Sequence, residues 1–137
     1  MKVLMVGDVV GSVGCDHLRR VLPGIKKQHS IDICVVNGEN AADGNGLTPT
    51  AARHIFDSGA DLITGGNHTF RRHELYDELE RCPLLLRPAN YPTGTPGSGI
   101  GVVDKGRFSL TVINLLGTVY LEPLACPFET LDRLLDE

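Results

Sequence analysis

The sequence predicts an α/β domain built on a parallel sheet, and three observations carry that prediction. The apolar runs Val3–Val6, Ile31–Val36 and Ala60–Thr64 each have the length of a buried strand. Segments with helical apolar spacing separate them, so strand and helix alternate as far as Arg81, the pattern of right-handed βαβ crossovers. Each run also ends in a short polar cluster: Gly7-Asp8, Gly38-Glu39-Asn40 and Gly66-Asn67-His68. In a parallel sheet these clusters lie side by side at the edge where open α/β sheets bind ligands.

The elements follow in order. Val3–Val6 is expected to be a strand buried on both faces. A first helix carries Leu18, Val21, Leu22 and Ile25 on its apolar side, and Pro23-Gly24 predicts a kink or an early stop. The second strand delivers Asn37-Gly38-Glu39-Asn40, and the stretch from Ala41 to Leu47, with Gly44 and Gly46, is loop. Thr48 then has the side chain of an N-cap and Pro49 suits the first helical position. That helix turns Ala52, Ile55 and Phe56 inward and stops at Ser58-Gly59. After the third strand, a third helix is predicted from Arg71 to Arg81 with Leu75, Tyr76 and Leu79 on one face. Leu84–Leu86 is a fourth strand, leading to Arg87-Pro88-Ala89-Asn90. Tyr91 to Gly101 is either an ordered turn region or a mobile loop. Asp104-Lys105-Gly106-Arg107 between two apolar runs signals a hairpin, so this edge of the sheet is expected to turn antiparallel. Phe128, Leu131, Leu134 and Leu135 mark a last amphipathic helix running to Glu137.

Composition narrows the class of protein. With 137 residues the chain is one domain or part of one. The 16 glycines exceed the usual roughly 7%, which predicts many tight turns at the functional edge. The net charge of -4, from 17 acidic and 13 basic residues, argues against long nucleic acids as partners, since these need a basic footprint. A nucleotide stays open, because metals can supply the positive charge a phosphate needs. Four scattered cysteines without a CxxC, one of them inside the second apolar run, predict a reducing compartment. Met1-Lys2 leads straight into a strand, so no leader is expected, and no apolar run approaches a membrane span.

Asp8, Glu39, Asn40, Asn67 and His68 offer the oxygen and nitrogen donors that a borderline divalent metal takes from a protein. Asp8 alone would pass for a helix cap, but three equivalent positions carrying such groups favour a metal site. Asp8 and Glu39 would bind metal, Glu39 bridging two ions, while Asn67 gives a neutral oxygen and His68 ligates or donates a proton to a leaving oxygen. Two ions about 3.5–4 Å apart clamp a phosphoryl centre and acidify a bound water, which makes phosphate-ester hydrolysis the first chemistry to consider. His17, His29 and His54 have ordinary surface roles in this reading, and His73 stands one helical turn beyond His68. Arg87 and Asn90 either touch phosphate or hold a turn. Cys15 near a helix start is a candidate thiolate, with inert burial the simpler alternative. The glycines at 7, 11 and 14 imitate a dinucleotide fingerprint with the wrong spacing, and Asp8 would face the pyrophosphate.

Gly7-Asp8-Val9-Val10-Gly11, Asn37-Gly38-Glu39-Asn40-Ala41-Ala42, Gly66-Asn67-His68-Thr69, Arg87-Pro88-Ala89-Asn90 and Gly94-Thr95-Pro96-Gly97 together resemble the YmdB-like branch of the calcineurin-like metallophosphoesterases. The resemblance covers nearly the whole chain. It implies an α/β/β/α sandwich, here mainly its first α/β half with a hairpin edge, in a cytoplasmic and commonly oligomeric protein. It also implies a centre of two iron or manganese ions that hydrolyses phosphodiesters, notably 2′,3′-cyclic nucleotides. By motif, Asp8 would bind the first metal, Glu39 would bridge, Asn67 would bind the second, Asn40 would join the shell or the phosphate, and His68 would be the acid.

Members of that family are longer, and their further stretch supplies histidines that complete both metal shells. Residues 1–137 are therefore expected to be a partial, N-terminal portion of the domain, inactive alone unless a second chain completes it. An exposed apolar sheet face would favour association. Two other readings stand beside the enzyme: a structural or interaction subunit without turnover, and a nucleotide-binding module using the Gly11-Ser12-Val13-Gly14 turn.

Overall fold

The computed structural model describes residues 1–136, so the predicted helix end at Glu137 lies outside the described residues. Four parallel strands, β1 (Val3–Val6), β2 (Ile33–Asn37), β3 (Leu62–Thr64) and β4 (Leu85–Leu86), lie side by side in chain order. The register sets Val6 opposite Val36 and Asn37 opposite Thr64. Helices α1 (Gly11–His29), α2 (Pro49–Asp57) and α3 (Tyr76–Arg81) form the connections, and α4 spans Pro127–Asp136. Thr48 caps α2 as its sequence predicts: its Oγ1 accepts from the Ala51 N–H at 3.2 Å, with Pro49 opening the helix.

Both faces of the central strands are covered. Cys34, Val36, Ile63 and Leu85 pack with Cys15, Leu18, Leu22, Ala52, Ile55, Leu75 and Leu79 from the helices. On the other face, Ile33, Val35, Leu62 and Leu86 pack with Val103, Leu110 and Val112. This double burial explains the unbroken apolar runs of β2 and β3. The second cover is an antiparallel hairpin, β5 (Ile100–Asp104) and β6 (Ser109–Ile113), which forms its own two-stranded sheet. The expectation of an antiparallel edge on the first sheet is thereby corrected. The hairpin crosses over the face because its apolar side matches that face, and Gly101 lets it lie close. A Cβ there would stand 2.8 Å from the Pro83 carbonyl oxygen and 3.1 Å from Leu62 Cδ1.

Other elements also depart from expectation. β1 is an edge strand covered on one face only: Leu4 and Val6 join the helical core, whereas Val3 and Met5 are exposed, Met5 at 66%. The hairpin reaches β2, β3 and β4 but leaves β1 bare. α1 does not stop at Pro23. The proline lies on its exposed side, and the helix runs on to a left-handed C-cap at Ser30. Ile25, predicted inward, is exposed. The third helix starts later than Arg71, with a single 3₁₀ turn at His73–Leu75 before α3. Arg72 is extended, and its side chain reaches back to donate to the carbonyls of Asn45 (3.0 Å) and Ala42 (3.3 Å). Residues 91–99 are turns tied to the fold through a bridge between Leu86 and Ser98. In α4 only Thr130 is buried, and Phe128 and Leu135 face outward.

Asp61 locks the three layers together. Its carboxylate accepts from Lys26 Nζ of α1 (2.9 Å), Lys105 Nζ of the hairpin (2.7 Å) and the Cys34 N–H of β2 (2.7 Å). Burial alone would push this carboxyl up; the bonds from Lys105, Lys26 and the Cys34 amide outweigh it and hold it below its ordinary value. Replacing Asp61 by Asn leaves two lysines without their charge partner and should cost about 2–3 kcal/mol near neutral pH. A depressed carboxyl stabilises fully above the unfolded value of about 3.9 and loses that contribution as pH falls through its lower folded value. The stability difference between wild type and D61N in denaturant melts should therefore shrink from neutral pH to about pH 2. A constant difference would contradict the role given to the carboxylate.

Candidate metal centre

Because β1, β2 and β3 run parallel in this register, their ends deliver Asp8, Glu39-Asn40 and Asn67-His68 to one edge. Asp8 sits at φ +40°, a left-handed backbone that Asp tolerates better than most side chains. The bend brings the Val9 N–H onto the Asn37 carbonyl at 3.0 Å and so ties the end of β1 to the end of β2.

Asn40 joins two of the clusters. Its Nδ2 donates to Asp8 Oδ1 at 2.7 Å, and its Oδ1 lies 2.5 Å from His68 Nδ1. Since the amide NH₂ faces a carboxylate, the amide oxygen must face the histidine, which makes Nδ1 the ring donor in this network. The other ring nitrogen, Nε2, is then the one available for chemistry. Glu39 completes the cluster: its Oε2 accepts from the His68 N–H at 3.0 Å. Gly66 is required beneath it, because a Cβ there would collide with the Glu39 carboxylate.

Residues that sequence reading passed over hold this edge in place. Thr69, buried, donates its Oγ1 proton to the Gly66 carbonyl (2.7 Å) and accepts from the Gly66 N–H (2.9 Å). A threonine three residues after a glycine is the available sign of such a turn. Asn114 Nδ2 donates to the carbonyls of Gly65 (3.1 Å) and Leu86 (3.3 Å). No local pattern marks Asn114, because its partners are distant in sequence. Of the two readings for Asn90, the structure favours the turn-holder. It is 1% exposed, donates to the carbonyls of Leu116 (2.8 Å) and Ala125 (3.0 Å), and accepts from the Leu116 N–H (3.0 Å). Arg87 donates to the Pro88 carbonyl at 2.8 Å.

Asp8, Glu39, Asn40 and His68 are thus linked by hydrogen bonds, Asn67 follows on the same sheet edge and lines a recess with Arg71 and Tyr91, and the remaining candidates are elsewhere. His17, His29 and His73 are exposed, with His73 against the Tyr76 ring at 5.0 Å. His54 stands 3.8 Å from Asp16 Oδ1. Cys15 is corrected as a thiolate: burial, then the nearby Asp16, pushes its thiol up, the opposite of activation. The Gly11–Gly14 turn is also unsuited to a pyrophosphate, because the Gly11 N–H already donates to the Asn40 carbonyl at 2.9 Å.

Two carboxylates and neutral amide oxygens suit one wall of a site for a hard or borderline cation. They do not make a closed shell: among the described residues, no three His, Cys, Asp or Glu side chains are grouped to hold an ion. Asn40 Oδ1 is itself engaged by His68, so using it as a ligand requires releasing the histidine.

A family model described as YmdB-like protein matches residues 4–137. The chain belongs to the YmdB-like family. Its calcineurin-like metallophosphoesterase architecture accords with the layered α/β sandwich above. The YmdB-like chain is 45% identical over 137 residues to a 2′,3′-cyclic-nucleotide 2′-phosphodiesterase of Bacillus subtilis, covering all of this chain and 52% of that one. A crystal structure of a hypothetical protein from Thermus thermophilus superposes with a TM-score of 0.92 at 39% identity, over 100% of this chain and 53% of that chain. A phosphatase from Mycoplasma pneumoniae gives 0.89 at 31% identity, over 98% and 50%. The chain spans about half the length of the relatives it matches.

The geometry gives a direct test of the Glu39 seat. Gly66→Ala should push the Glu39 carboxylate off the His68 amide, and exchange of that amide proton with solvent should accelerate roughly tenfold or more, the equivalent of one hydrogen bond. Unchanged protection, read by hydrogen-exchange NMR, would show that the carboxylate is not held there.

Proposed function

We propose that the chain carries one wall of a metal-dependent phosphodiesterase site acting on 2′,3′-cyclic nucleotides or similar small phosphodiesters. The observation that carries this reading is the hydrogen-bonded line from Asp8 through Asn40 to His68, beside Glu39 on the same sheet edge. The Bacillus subtilis relative, named for that activity and 45% identical, supports the substrate class. Asp8, Glu39 and Asn67 would hold two iron or manganese ions, Asn40 would stay on the His68 ring rather than serve as a ligand, and residues outside this sequence or on a second copy would complete the shell. When bound, the ions supply charge for the phosphoryl oxygens and lower the pKa of an attacking water.

The chain's own residues do the rest. Asn40 fixes the His68 ring through Nδ1, which presents Nε2 outward. As water adds to phosphorus and the ester P–O bond breaks, His68, entering the step with both ring nitrogens protonated, gives the Nε2 proton to the departing ribose oxygen and keeps the Nδ1 proton on Asn40, so the sugar leaves as an alcohol. Asp8 holds the Asn40 amide and so keeps the ring from turning. Residues 1–137 would be a partial domain of a cytoplasmic protein that assembles with itself or with a completing chain. No helix among the described residues is long and apolar enough to cross a membrane. Among the described residues no three His, Cys, Asp or Glu side chains are grouped to hold an ion, which favours a second reading, a subunit without turnover of its own.

Metal and turnover separate these readings. Glu39→Gln should abolish manganese uptake measured by metal analysis after dialysis. His68→Gln should leave uptake intact and lower hydrolysis of bis(p-nitrophenyl) phosphate by about 10²–10⁴-fold in the completed enzyme. Manganese uptake indifferent to Glu39 would remove the metal reading. Full activity in the His68 variant would remove the proton donor.

A further inference from the structure

A second recess opens next to Asn67. It has a volume of about 210 Å³ and is lined by Arg71, Tyr91, Tyr120, Leu121 and Glu122 besides Asn67. Resting on the phosphodiesterase reading, we propose that this recess is the nucleobase subsite, where a purine or cytosine ring lies against the tyrosines with its amino group toward Glu122.

Size is the first argument. Pockets that bury a drug-sized molecule start near 300 Å³, so this recess suits a single heterocycle with the ribose and phosphate left toward Asn67. Wall chemistry is the second. Tyr91 is half-buried and braced edge-on by Phe70, with ring centres 5.1 Å apart, and Phe70 is braced in turn by Tyr76 at 5.5 Å. A ring held in this way stacks a base with little loss of side-chain freedom. Tyr120 is fully exposed at φ +60°, a backbone that a bulky residue seldom adopts. The turn that carries it is fixed from below by buried Asn90, through its bonds to Leu116 and Ala125. The turn is thus anchored at both ends while its aromatic tip stands in water.

Charge is the third argument. Burial first, and then Glu122 and Glu39, push the Tyr91 phenol up against the opposing pull of Arg71. The recess and the proposed metal wall adjoin through Asn67, which lines the recess and precedes His68 on the strand end. Glu122 offsets the charge of Arg71 across the recess, so a second phosphate meets no excess of positive charge there. The Glu122 carboxylate accepts instead from the exocyclic amino groups of adenine, cytosine or guanine, which uracil lacks.

Calorimetry on the 137-residue chain tests this with adenosine 3′-monophosphate, uridine 3′-monophosphate and inorganic phosphate as probes. The adenosine compound should bind more tightly than inorganic phosphate, and Tyr120→Ala should reduce that advantage roughly tenfold, the loss expected for one stacked base. Glu122→Gln should narrow the preference for adenosine over uridine. Equal binding of nucleotide and phosphate, binding of neither, or a Tyr120→Ala variant with an unchanged ratio would each overturn the subsite. Manganese uptake independent of Glu39 would overturn the phosphodiesterase reading instead, while the nucleotide-to-phosphate ratio still decides the subsite.

Discussion

The parallel register of β1, β2 and β3 is the constraint on which the site depends. A parallel ladder aligns strand ends, and here Val6, Val36 and Ile63 stand level, so the next few residues of each strand leave the sheet together. Two further conditions turn alignment into contact. Asp8 takes a left-handed backbone that hooks the end of β1 onto β2, and Gly66 lacks the side chain that would occupy the place of the Glu39 carboxylate. A slip of one residue in β2 would exchange its inward and outward side chains and move Glu39 away from the His68 amide. The apolar register that builds the core therefore also sets the chemistry.

Asn40 shows why a neutral amide belongs in a site otherwise rich in carboxylates. An aspartate there would place two negative charges within hydrogen-bond distance of each other, and one would be forced to take a proton. The amide offers a donor to Asp8 and an acceptor to His68 at once, which neither a carboxylate nor a lysine can do. It transmits orientation without adding charge. On the proposed function that would matter, because a phosphodiester would bring its own negative charge to this edge.

The sequence disclosed what depends on local pattern. Strand runs, the Thr48-Pro49 helix start and the three polar clusters are all short-range signals, and the structure keeps each. What escaped was set by partners distant in the chain. The hairpin is legible as a hairpin from Asp104-Lys105-Gly106-Arg107, but its placement over the sheet depends on Asp61 meeting Lys105 and on Gly101 meeting Pro83 and Leu62. Continuation of α1 through Pro23 is likewise non-local: Leu18 and Leu22 before it are held by the core, and Lys26 beyond it is held by Asp61 and the Gly59 carbonyl. Those anchors offset the lost backbone bond that made a kink or an early stop the expectation. Asn114 belongs to the same class, since its acceptors, the carbonyls of Gly65 and Leu86, are distant in the chain.

On the proposed function, one added layer would meet both the bare face of β1 and the open shell of the candidate centre. Val3 and Met5 point to the side that the hairpin covers over β2, β3 and β4, and β1 also has a free edge. Apolar side chains on an unpaired edge are a standing invitation to further β-structure. Any layer that extends the hairpin's cover across β1 must pass close to the end of that strand, where Asp8 stands. The same polypeptide that buries Val3 and Met5 is thus brought within reach of the donor-poor side of the cluster. Folding and ligation would be coupled in such an arrangement, because a metal held from both sides stabilises the docking of the layer that supplies the second set of donors.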